Sequence, residues 1–157
     1  MITIDPPIRF IPVSELAAVS AVRVIEFLAF SAAPNKNDPN KHIPLVLANP
    51  DRGEFEFFDP SQHDRVLSIS DALIVRPQLD SLVHNINAVK EGKQQLFQSE
   101  DGALGVIVQL RQPSQQRFFN LQTGEICSLQ SHFMSSFARW SIGYLSSESK
   151  FVPLFSI

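Results

Sequence analysis

Apolar and polar positions change period several times along the chain, and each change predicts an element. Ile8 to Ile11 alternate weakly between Pro7 and Pro12, which predicts a short edge strand, since proline donates nothing to a ladder. Ser14 then suits the N-cap of a helix over about residues 15–31. Ser20, Arg23 and Glu26 recur there every third residue among mostly apolar neighbours, a pattern that predicts a helix buried in the middle of the domain. "SAAPNKNDPNK" has two prolines, three asparagines and no period, so residues 31–41 read as a loop. "HIPLVLAN" and "EFEFFD" flank "PDRG" and predict a hairpin with Gly53 at a positive φ. "RVLSIS" and "ALIVR" predict two further strands. In "QLDSLVHNINAVKEG", Leu79, Leu82, Val83 and Ile86 make a helical stripe and Gly92 supplies a stop.

The last third predicts a four-strand antiparallel meander. "QQLFQS" meets "ALGVIVQL" through Glu100-Asp101-Gly102, "QPSQ" makes the next turn, and "RFFNL" meets "EICSL" through Gln122-Thr123-Gly124. From Ser131 the period lengthens: Phe133, Phe137, Trp140 and Tyr144 share one helical face, with Met134 and Ile142 beside them. The apolar tail "FVPLFSI" docks as a strand or packs against a neighbour. The expected fold is a single α+β domain over residues 1–157. A mainly antiparallel sheet of five to seven strands is packed by an N-terminal, a middle and a C-terminal helix.

Composition narrows the function classes. At 157 residues, 44% apolar and 18% charged, the chain is globular in character and sized for one domain. The net charge of −3 comes with no clustered Lys/Arg run, so no nucleic-acid partner is expected. The longest apolar stretch carries Glu15, Arg23 and Glu26, so no membrane partner is expected. "MITIDPPIRF" lacks the basic and apolar regions of a secretory signal. A lone cysteine excludes an internal disulfide framework and a multi-thiolate zinc site, and points to a reducing, cytoplasmic location. The glycines match neither a Walker loop nor G-x-G-x-x-G, so no cofactor is expected.

Candidate chemistry is sparse. Cys127 with His132 could form a nucleophile–base pair across a strand-to-helix turn; the plainer reading makes Cys127 a small buried hydrophobe in a strand. "FFDPSQHDR" places Asp59, His63 and Asp64 close together, and His42 and His84 could join them in space. No metal-ligand spacing appears, and the stretch also reads as a polar turn. An enzyme, if present, would be a small hydrolase or transferase using His63, Asp64 or Cys127. Phe57-Phe58 and Phe118-Phe119 must point to opposite sheet faces, so one of each pair is either covered or exposed as a contact patch.

"RFFNLQTGEICSLQSHFMSSFARWSIGYL", residues 117–145, resembles the C-terminal part of the SUKH superfamily of bacterial toxin-immunity proteins. The matching positions are Thr123, Gly124 and Glu125 in a hairpin turn, then Ser135, Ser136 and Phe137 entering a final helix. The resemblance implies an α+β fold and a non-catalytic protein that neutralises a toxin by binding it. With no catalytic constellation, cofactor loop or basic groove in the sequence, the leading expectation is a cytosolic protein-binding domain without catalytic or metal residues, an immunity protein on that resemblance. Asp51, Glu54, Glu56, Asp59, Glu100 and Asp101 would form its docking surface. A further alternative is an oligomeric structural or accessory protein that associates through the apolar tail.

Overall fold

A computed structural model of the chain describes residues 1–2, 9–87, 94–110, 115–130 and 132–157. Nearly every apolar run in them is a strand. They are β1 (Arg9–Pro12), β2 (Ala21–Val24), β3 (Phe27–Ser31), β4 (Leu45–Asn49), β5 (Glu54–Phe58), β6 (Arg65–Ser70), β7 (Ile74–Pro77) and β8 (Leu82–Asn87). There follow β9 (Leu96–Gln98), β10 (Leu104–Gln109), β11 (Gln116–Asn120), β12 (Ile126–Ser128), β13 (His132–Phe137), β14 (Trp140–Leu145) and β15 (Phe151–Ser156). Among the described residues the only helical segments are single 3₁₀ turns at Val13–Glu15 and Leu79–Ser81. None is long and apolar enough to cross a membrane.

The α+β expectation is thus overturned: the chain is nearly all β, in sheets of twelve and three strands. The N-terminal helix over 15–31 is replaced by the β2–β3 hairpin. Ala21 and Phe30 belong to the central core, whereas the adjacent Val22 and Ala29 belong to a second cluster on the opposite face. A strand buried on both faces loses its period of two, and its continuous apolar run then imitates a buried helix. The middle helix is the Leu79–Ser81 turn followed by β8; Leu79 is 76% exposed while Leu82 packs against the central core, so the stripe never acts as one face. Gly92, its expected stop, lies outside the described residues.

The C-terminal helix is two strands in different sheets. β13 pairs with β8 and β9, and β14 pairs with β7 and β15. Trp140, Ile142 and Tyr144 are all buried at a strand's period of two. The spacing of four from Phe133 to Phe137 is a multiple of two as well as close to a helical turn. Ser131, from which the longer period was read, lies outside the described residues.

Other expectations hold. β4 and β5 form the antiparallel hairpin, with Gly53 at φ +60. β9, β10, β11 and β12 pair antiparallel in succession as the meander. The "QPSQ" turn falls largely outside the described residues. β1 is an edge strand against β6, and the tail docks as β15 on β14. Phe155 on that tail stacks against Phe55 and Trp140, ring centroids 5.3 and 5.2 Å apart. Both phenylalanine pairs split between faces as expected: Phe57 and Phe119 join the central core, Phe58 the second cluster, and Phe118 a third with Phe97, Ile107 and Phe133. Phe118 and Phe119 are both covered, whereas Phe57 and Phe58 are half-buried and stay partly open on their two faces.

β10 joins the two parts of the large sheet. One of its edges carries β11; the other is shared by β9 at Leu104 and Gly105 and by parallel β5 at Val108 and Gln109. Gly105 is required there, because a Cβ would stand 2.1 Å from the Phe119 carbonyl oxygen.

Candidate functional site

After β3 the chain does not turn directly into β4. Residues 32–44 form a loop without regular structure, and its short polar side chains supply the hydrogen bonds a ladder would have given. The Asn35 carbonyl oxygen Oδ1 accepts from the Asn37 N–H at 3.0 Å. The Asp38 carboxylate accepts from the N–H groups of Asn40 at 2.8 Å and His42 at 3.2 Å. Such side-chain-to-backbone bonds stand in for backbone turns. At the base, Ala32 N–H donates to the Pro44 carbonyl at 2.9 Å and Ala33 N–H to that of Gly124 at 2.7 Å. Gln62 clamps the far end, accepting from Ile43 N–H at 2.8 Å and donating to the Ile43 carbonyl at 2.9 Å.

Beneath this loop lies an open cleft of about 500 Å³, walled by Pro34, Lys36, His42, Phe57, Asp59, Glu125 and Cys127 among others. Its charged groups are largely paired. Lys36 Nζ meets Glu125 at 3.0 Å, tying the loop to the start of β12, and the His42 imidazole pairs with the Asp59 carboxylate. Cys127 is exposed, not buried as expected. Partial burial pushes its thiol above the ordinary range, reinforced by the Glu125 and Asp101 carboxylates and opposed by Lys36. At neutral pH it is therefore a thiol. His42 directs Nε2 to Asp59, with Gln62 Nε2 at 3.5 Å, and makes no hydrogen bond to Cys127.

The structure separates most of the residues singled out from sequence. Asp59 and Cys127 share this cleft, and His42, considered only as a remote partner, joins Asp59 there. His63 and Asp64 lie exposed in the turn before β6, and Asp64 lines a different cleft. His132 opens β13 opposite Asn87 and is not part of the cleft wall, so no Cys127–His132 pair stands there. His84 is on β8.

The six carboxylates also scatter. Asp51 is exposed at the tip of the β4–β5 hairpin, and Glu54 is buried. Glu56 accepts from Asn49 Nδ2 at 3.2 Å. Glu100 and Asp101 sit in the β9–β10 turn, where the Ser99 hydroxyl and then the Ala103 N–H hold the Asp101 carboxyl below its usual range. Among the described residues, no three His, Cys, Asp or Glu side chains come together as a metal site.

Sequence reasoning missed Lys36 as a site residue. The available signal was the length of the unpatterned stretch, since long loops without structure of their own are usually functional.

The cleft has a counterpart. Past the end of β5 the chain keeps alternating: Phe57 and Asp59 line the first cleft, Phe58 and Pro60 a second. Comparison with family models, curated proteins and solved structures finds no match to this chain.

Proposed function

We propose that the chain is a non-catalytic protein-binding domain that recognises its partner with the loop 32–44 and the cleft beneath it. The observation that carries this reading is the loop's preorganisation: Asn35, Asp38 and Gln62 hold its backbone through side-chain hydrogen bonds. A loop already fixed in shape loses less entropy on binding. The protonated thiol of Cys127 argues against a nucleophile, and the division of Cys127 and Asp64 between two clefts argues against the hydrolase or transferase reading. The exposed free cysteine fits a reducing compartment such as the cytosol.

On the resemblance of residues 117–145, the partner would be a toxin domain neutralised by direct binding. The Thr123-Gly124-Glu125 turn supports it, with Gly124 at φ +80. Ser135, Ser136 and Phe137 do not, because they lie in β13 instead of entering a helix. Association through the tail has less to draw on, since Leu154 and Phe155 already pack on the chain's own core.

The test is calorimetric titration with any toxin domain found encoded beside this chain's gene. The Asp38→Ala variant should fold and bind about tenfold more weakly, the size of effect expected from loosening a preorganised contact loop. Equal affinity of Asp38→Ala and the parent would refute use of the loop. Turnover of ester or amide substrates that disappears in Cys127→Ala would restore the enzyme reading.

A further inference from the structure

One residue of the β2–β3 hairpin breaks two rules of local structure. Val24 pairs with Phe27, leaving Ile25 and Glu26 as a two-residue turn. Ile25 has φ +57, a left-handed conformation that is strained for a β-branched side chain and usually falls to glycine in such turns. The same side chain is 91% exposed. Among the described residues no core cluster takes up this side chain, and departures of this kind concentrate at functional sites.

Ile25 does not stand alone. Phe10 on edge strand β1 is 64% exposed, and both residues line the second cleft, of about 460 Å³. Phe10 registers with Leu67, and Leu67 with Arg23, across β1, β6 and β2. Directly opposed residues point to the same sheet face, so an apolar strip ends in a guanidinium. Arg65 lines the same cleft. These two arginines reach only backbone: Arg23 Nη1 donates to the Glu26 carbonyl at 3.2 Å, and Arg65 Nη1 to that of Phe10 at 3.5 Å. Neither forms an ion pair with a carboxylate among the described residues.

We infer that this second cleft docks an extended protein segment carrying one large apolar side chain beside a carboxylate. The apolar group sits between Phe10 and Ile25, and the carboxylate meets Arg23 or Arg65. Charge complementarity sets the sign of the ligand, because neither guanidinium meets a carboxylate among the described residues. Concavity sets its class: a cleft of about 460 Å³ admits a projecting side chain and its neighbours, whereas a flat bilayer surface does not enter it. The inference is independent of the loop 32–44 and stands or falls without it.

The experiment is an NMR titration of the ¹⁵N-labelled full chain with two peptides, acetyl-Asp-Phe-Asp-amide and acetyl-Lys-Phe-Lys-amide. The acidic peptide should shift the amides of Phe10, Arg23, Ile25 and Leu67 and bind about fivefold more tightly than the basic one. The double variant Arg23→Gln/Arg65→Gln should lose that preference while still binding. Ile25→Gly removes the strain without disturbing the turn, so its thermal midpoint should be no lower than the parent's, yet its affinity should fall. Shifts elsewhere only, equal affinity for the two peptides, or undiminished binding by a folded Ile25→Gly variant would each overturn the inference. So would Ile25-dependent sedimentation with phosphatidylserine vesicles, which assigns the surface to lipid. The same amides shifting with protein concentration alone would assign it to a second copy.

Discussion

The two clefts are separated by a single strand end, yet they are opposites in how they use charge. On the side of Phe57 and Asp59, Lys36 pairs with Glu125, the His42 imidazole hydrogen-bonds the Asp59 carboxylate, and a polar loop holds its own shape. On the side of Phe58 and Pro60, two arginines lack carboxylate partners among the described residues, and two large apolar side chains face water. The difference teaches that a surface can be ready for a partner in two ways. The first cleft has met its ordering cost during folding. The second leaves its guanidiniums and apolar side chains to water, where a partner can still take them up.

Variants can break this comparison or sharpen it. The largest effect is expected at Phe55, fully buried in β5 just before the residues that wall the two clefts. Phe55→Ala should cost about 3–5 kcal/mol and remove both clefts together, read as the loss in urea stability; a cost under about 1 kcal/mol would show that they do not share a support. Gly105→Ala acts on one side. A methyl group against the Phe119 carbonyl and the Phe118 ring should cost about 1–3 kcal/mol. It should speed amide exchange in β11 and β12 while β1 and β2 stay protected.

Asp38→Ala is narrower still. Removing the acceptor for Asn40 and His42 should cost about 1 kcal/mol, with faster exchange confined to the loop; uniform loosening would contradict the local role given to Asp38. The smallest effect on stability belongs to Cys127. Its raised thiol should react slowly with iodoacetamide at pH 7 and accelerate only as pH climbs through and above the ordinary thiol range of about 8.5. Lys36→Ala removes the one cation that favours the thiolate, so it should move that acceleration to higher pH. Rapid alkylation at pH 7 in the parent would reverse the electrostatic account of this cleft.

Much of the strand layout was legible where turns announce themselves. Pro-Asp-Arg-Gly, Glu-Asp-Gly and Gln-Thr-Gly each joined strands that pair as expected. The β2–β3 hairpin was hidden for the opposite reason: it turns at Ile25-Glu26, which carries no turn residue, between strands buried on both faces. β14 was hidden because the spacing from Phe133 to Phe137 suits either period and drew Trp140 into a helical reading. For the first cleft, Asp59 and Cys127 could be flagged by residue type. Their meeting with His42 could not, because it depends on β11 placing β12 beside the loop through the Ala33–Gly124 hydrogen bond. The strain at Ile25 has no trace in composition, since it lies in the backbone.

The docking of β15 has a consequence for how the chain is made. Phe155 stacks on Phe55 and Trp140, and Trp140 and Ile157 exchange backbone hydrogen bonds at 3.2 and 3.0 Å. A nascent chain that has already emerged through β5 therefore waits for about a hundred further residues before its central core can close, and contacts of such long separation form slowly. During that interval the apolar faces of β3 to β5 stand open on the ribosome. A message cut short before Phe155 would yield a chain that exposes them permanently and becomes a substrate for chaperones and proteases.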